Sequence, residues 1–168
     1  MSLSLSTLAV VALLAAVGCG LMAGLFFAFS NFVMRALSRL SPGSAVAAMN
    51  SINREIANPL FLLLFFSTPV ACLFLVGYAF VYPQVPTRAL LLAGGAIYLV
   101  GALLVTVVCN IPRNKALAHV DPASAAAESA WSSFFRVWVR WNHVRSIASL
   151  LAAICFIGAF AGLSAAER

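Results

Sequence analysis

The chain has 168 residues, is 64% hydrophobic and only 8% charged, with a mean hydropathy of +1.06. No soluble domain of this length has enough interior to hide so much apolar surface, so the chain is expected to be solvated by lipid. The net charge is +6, but no stripe of basic and aromatic residues accompanies it, which argues against a nucleic-acid partner.

A helical crossing of the hydrocarbon layer takes about 20 apolar residues. Four stretches qualify, at about residues 5–34, 60–82, 89–109 and 147–163. None shows the alternation of a barrel strand. The expected fold is therefore all-α, an integral membrane four-helix up-down bundle in a single domain, 1–168.

The first stretch carries no charge before Arg35 and is longer than the apolar core of a secretion signal, so it is read as a true span. Gly20, Gly24 and Ala28 recur every four residues, a pattern that lets two helices approach closely. Ser41-Pro42 then stops one helix and starts another: Ser as N-cap, Pro at the first helical position. Residues 42–57 read as a short helix on the cytoplasmic surface, with Asn50, Asn53 and Arg54 on one face. Asn58-Pro59 opens span two, and Pro69 is expected to kink it.

Tyr82–Pro86 reads as a tight turn. Span three is expected to end at Cys109-Asn110-Ile111-Pro112, because proline disfavours helix at the residue before it. Asp121-Pro122 resembles another cap, and no breaker follows until about Leu163. Span four then forms the end of a long helix with a cytoplasmic extension.

Arg35, Arg39 and Arg54 lie between spans one and two, and Arg113, Lys115, Arg136 and Arg140 between spans three and four. Positive residues accumulate on the cytoplasmic side. Both long connections are therefore expected inside and both termini outside, in a bacterial inner membrane.

The four cysteines, Cys19, Cys72, Cys109 and Cys155, fall one per span without a CxxC pair. This argues against dithiol exchange. Cys19, Cys72 and Cys155 fall at similar depth, which admits a three-thiolate metal site, but packing as small apolar residues is the preferred reading.

All seven asparagines (31, 50, 53, 58, 110, 114 and 142) gather near the expected cytoplasmic ends. A neutral amide gains nothing from headgroup charge, so the joint pattern points to hydrogen bonding between helices or to a ligand. Asn58 also fits a simple cap, and the arginines fit headgroup anchors. On span four, Trp138, Asn142, Arg145 and Ser149 share one stripe, while Arg136, Arg140 and His143 share another. His143 lies roughly 160° from Arg145 at the helical turn angle. The first stripe is assigned to the interior and the basic stripe to headgroups, with His143 able to reach a cavity edge. His119 is read as a solvated loop residue.

Three segments, INREIANPLF (Ile52–Phe61), TVVCNIPRNKALA (Thr106–Ala118) and WVRWNHVRSIASLLAA (Trp138–Ala153), resemble the anthrone oxygenase-like family of small four-helix membrane proteins. The most specific parts are Asn-x-Pro-x-Asn after span three and Trp-x-x-x-Asn-x-x-Arg entering span four. The resemblance implies oxidation of a phenolic anthrone by O₂, without metal or flavin. It makes His143, Arg145 and Asn142 the catalytic candidates: His143 as base, the other two with Asn110 as oxyanion donors. Asn114, Arg113, Asn58, Asn53 and Asn31 join Asn110 as ligand-binding candidates, with Trp138, Trp131 and Phe61 to stack on aromatic rings.

No cofactor is expected, with haem or a metal left open, since the two histidines have no ligand spacing. The expected partners are the bilayer and a small aromatic or lipophilic ligand. Two other functions remain open: a binding or transport module for a small lipophilic molecule, and a structural or partner-binding role. In the latter, the Gly20/Gly24 face would join subunits of a homo-oligomer.

Overall fold

The computed structural model describes residues 3–168. Among the described residues there are five helices: α1 (Leu5–Leu37), α2 (Pro42–Glu55), α3 (Pro59–Val81), α4 (Arg88–Ala118) and α5 (Ala127–Ala166). All except α2 are long and apolar enough to cross a membrane. Packing joins α1 to α5, α5 to α4, α4 to α3 and α3 back to α1. α2 lies against α5 and the last turns of α4.

The caps follow the sequence signals. Ser41 accepts from the Ser44 N–H to begin α2, and Asn58 accepts from the Phe61 N–H to begin α3, each followed by proline in the first turn. Large apolar side chains face outward, Leu60 at 78% exposure and Leu63 at 68%, the inverse of a water-soluble surface. The interior of the long helices is built from small groups, among them Ala12, Ala15, Cys19, Cys72, Ala152 and Ala159. A second apolar cluster gathers Met34, Val46, Met49, Leu117, Trp131 and Phe134 where α2 meets α4 and α5.

Two expectations need correction. The helix of span three does not stop at Pro112 but runs to Ala118. A π-helical turn over Thr106–Asn110 precedes the proline, with the Ile111 N–H bonded to the Thr106 carbonyl. Its wider ladder absorbs the proline ring and its missing donor, so the chain need not break. Asp121-Pro122 does not start α5 either. The Asp121 side chain accepts from the Ala123 N–H and its carbonyl from Ser124, closing a turn over residues 121–124 that ends before the helix begins at Ala127.

The close helix approaches also lie elsewhere than Gly20 and Gly24, both of which face open space. They occur at Gly18 against Thr68, Gly94 against Cys155 and Phe156, and Gly101 against Ala148.

Candidate functional site

The first turns of α3 contain no buried residue before Thr68. They stand off from their neighbours and leave a cavity of about 570 Å³ between α1, α2, α3, α4 and α5. Phe26, Phe29, Phe61 and Phe65 make much of its wall apolar and aromatic. Two polar regions interrupt this wall: Thr106, Asn142 and Arg145 form one, and Asn50, Asn53, Arg54, Asn114 and Lys115 the other.

Arg145 is 6% exposed and Asn142 fully buried. The Arg145 guanidinium donates from Nη2 to Asn142 Oδ1 and from Nη1 to Thr106 Oγ1 at 3.2 Å. The Asn142 amide nitrogen donates in turn to the Phe26 carbonyl at 2.6 Å and to Ser30 Oγ. The Thr106 hydroxyl donates in turn to the Ala102 carbonyl at 2.8 Å. The guanidinium carbon lies 4.1 Å from the Phe26 ring centroid and 5.3 Å from that of Trp138, within cation–π range.

Three π-helical turns supply this network. Ser30 belongs to Phe29–Val33 in α1, Ala102 to Leu99–Leu104 and Thr106 to Thr106–Asn110, both in α4. A π turn widens the helix and shifts its side chains out of the regular register, which is why such turns recur at functional sites.

Every partner of Arg145 is neutral. The four acidic residues of the chain, Glu55, Asp121, Glu128 and Glu167, are all exposed. Arg145 Nε is buried with no hydrogen-bond partner. A buried cation without a counter-ion is costly, and an anion in the adjoining cavity would offset that cost.

A second chain of amides leads away from the network. Trp138 Nε1 donates to Asn114 Oδ1 at 2.8 Å, and Asn114 Nδ2 donates to Asn53 Oδ1 at 3.1 Å. Asn50 Nδ2 donates to the Leu117 carbonyl at 3.3 Å. Asn110 is buried and donates to the Trp138 carbonyl at 3.3 Å, which ties α4 to α5 behind the cavity wall.

The residues singled out in the sequence divide into two groups. Arg145, Asn142, Trp138, Asn114, Asn53 and Phe61 line the cavity. The others do not. Asn58 caps α3, Asn31 is exposed, and Trp131 packs against Phe134. Arg113 turns back to the Cys109 carbonyl and borders a smaller hollow. His143 lies on the exposed face of α5 and is not part of the cavity wall. His119 is exposed, bonded to the Lys115 carbonyl at 2.7 Å. Among the described residues no group of three His, Cys, Asp or Glu side chains is placed to hold a metal ion. Cys19, Cys72 and Cys155 therefore do not make the three-thiolate site that their depths admitted.

The sequence reading missed Phe26, Ser30 and Thr106. Thr106 shares the four-residue spacing of Asn110 and Asn114, a stripe that marks it out. Ser30 had only its position beside Asn31. Phe26 contributes a ring face and a carbonyl, neither of which has a sequence signature.

No curated protein and no solved structure matches the chain. The family model for anthrone oxygenase matches residues 61–155, which hold Thr106, Asn114, Trp138, Asn142 and Arg145. The chain belongs to the anthrone oxygenase family.

Proposed function

We propose that the protein is a membrane oxygenase that converts an anthrone-like phenolic aromatic to the corresponding quinone with O₂. In this reading it is an up-down four-helix bundle of the bacterial inner membrane, with both termini outside. α2 lies on the cytoplasmic surface and the cavity forms the cytoplasmic mouth. The excess of Arg and Lys in the two long connections supports that orientation.

One observation carries the reading: a buried guanidinium with no carboxylate against it, in the wall of a largely apolar cavity. The volume suits a small-molecule site, typically about 300–1,000 Å³. The phenylalanine rings match a flat aromatic body. Arg145 matches the oxygen of its enolate, with Asn142 and Thr106 holding the guanidinium in position.

The chemistry balances without a further reductant. The substrate CH₂ loses a proton to water, leaving an enolate whose oxygen faces Arg145. One electron passes to O₂, and the resulting superoxide and carbon radical join at that carbon. The peroxide takes up a proton, and loss of water across its O–O and the remaining C–H leaves a C=O. One O₂ and one CH₂ thus give one carbonyl and one water. The cavity wall holds no carboxylate or imidazole, so the protein acts by favouring the enolate rather than by removing its proton.

The test uses purified protein in lipid nanodiscs with anthrone and ¹⁸O₂. The expected result is quinone formation well above empty nanodiscs, with one labelled atom in the new carbonyl. A rate equal to the empty-disc control, unchanged in Arg145→Met, removes the assignment for this substrate.

A further inference from the structure

The second polar region of the cavity wall carries two cations. Arg54 on α2 and Lys115 on α4 both line the cavity and are exposed, so packing does not seal them from a ligand. Asn114 Nδ2 donates to Asn53 Oδ1 at 3.1 Å, which joins α4 to α2 one residue before each cation. The two cations therefore stand at one opening, on two helices that this bond holds together.

Both charges are unmatched. Among the described residues, the side chains of Arg54 and Lys115 make no hydrogen bond and no ion pair. Other cations turn back on the protein: Arg88 donates to the Ala79 carbonyl, Arg113 to that of Cys109 and Arg136 to that of Ser132. Glu55 follows Arg54 in the sequence but does not line the cavity.

The α3 side of the opening is apolar. Leu62 and Phe66 line the cavity and are exposed on a helix long and apolar enough to cross a membrane. An opening with one apolar and one cationic side fits a lipophilic body with an acidic group at its edge. Lys115 stands nine residues beyond Thr106, the threonine bonded to Arg145, or about 13 Å along α4 at 1.5 Å per residue. An acid at the opening and an oxyanion at Arg145 thus occupy opposite ends of one ligand.

We infer that Arg54 and Lys115 form an anion subsite at the mouth of the cavity, which takes a carboxylate on the end of the aromatic substrate remote from Arg145. This rests on the reading of the cavity as an aromatic-substrate site. It narrows the substrate to aromatic acids, which the oxygenation chemistry does not require. A lipid phosphate offers the same anionic oxygens, so the test separates the two sources.

The experiment measures binding, not turnover. Tryptophan-fluorescence titrations in nanodiscs of neutral phosphatidylcholine compare anthraquinone-2-carboxylate with anthraquinone-2-carboxamide, which is similar in shape and uncharged. The carboxylate-to-amide affinity ratio is compared between wild type and variants, so that partition of each ligand into lipid cancels. It is expected to fall about tenfold in the double variant Arg54→Gln, Lys115→Gln, the scale of two partly exposed ion pairs. It should fall likewise for the wild type at about 1 M salt, where such pairs are screened. Unchanged amide binding reports an intact cavity. Arg140→Gln removes an exposed cation outside the cavity wall and should leave the ratio as it is. A ratio that the double variant keeps, or that Arg140→Gln lowers equally, overturns the subsite. In discs that include phosphatidylglycerol, a wild-type ratio that persists supports the substrate carboxylate. One that drops to the double-variant value gives the cations to a headgroup phosphate and overturns it. Anthrone turnover by the same samples reads the oxygenase assignment separately: absent turnover with the carboxylate preference intact rejects the reaction and retains the subsite.

Discussion

Asn142 and Arg145, three residues apart on α5, share a hydrogen bond whose direction is fixed from α1. The Asn142 nitrogen is held by the Phe26 carbonyl and Ser30, so its oxygen must face the guanidinium. One neutral amide thus orients a buried cation and joins α5 to α1. The two residues should be strongly coupled. In a double-mutant cycle of Asn142→Leu and Arg145→Met, the coupling energy in chemical denaturation should reach about 1.5–3 kcal/mol, the range for hydrogen bonds to charged groups. Additive losses would mean that the bond contributes nothing.

Fold and activity should separate at Arg145. Replacing a buried ion by an apolar side chain of similar volume is often neutral or stabilising. Arg145→Met is therefore expected to keep or raise the melting temperature in detergent. Its anthrone oxidation should fall by about 100-fold or more, the loss typical of removing one oxyanion donor. Oxygen uptake and thermal melts on one preparation check both. A fall in stability with unchanged uptake would make Arg145 a structural residue.

Much of the fold was legible because lipid imposes a simple rule: long apolar runs must be helices. The two stripes of span four were legible for the same reason, since angle alone divides buried Trp138, Asn142, Arg145 and Ser149 from exposed Arg136, Arg140 and His143. The cavity was not legible. It depends on the first turns of α3 standing away from α1, and on π turns that shift Ser30 and Thr106 towards Asn142 and Arg145. Neither feature has a periodic signature. Asn110 shows the limit of composition arguments: it clusters with the other amides in sequence, yet it braces α4 against α5 behind the wall.

The glycines supply a test of packing. A methyl at Gly101 would overlap the Ala148 side chain across the α4–α5 contact. Gly101→Ala should cost about 1–3 kcal/mol, as overpacking does. Gly24 meets open space, so Gly24→Ala should gain up to about 1 kcal/mol from helix propensity. Melting temperatures of the two variants should move in opposite directions. A loss at Gly24 that depends on protein concentration would instead mark this face as a contact between copies of the chain.

The exposed position of His143 bears on the pH dependence of the reaction. With no carboxylate or imidazole in the cavity wall, the proposed reaction has the enolate form by loss of a proton to water and bind at Arg145. The rate constant kcat/KM should then rise about tenfold per pH unit while the substrate remains mostly protonated, and level off as it ionises. The midpoint should follow the acidity of the substrate: an anthrone with an electron-withdrawing substituent shifts the whole curve to lower pH. His143→Ala should leave the profile unchanged and the rate within about twofold, since surface changes away from a site have small effects. A limb of the profile that disappears in His143→Ala would mean that the imidazole reaches the substrate after all, by a movement of α5 that turns its exposed face towards the cavity.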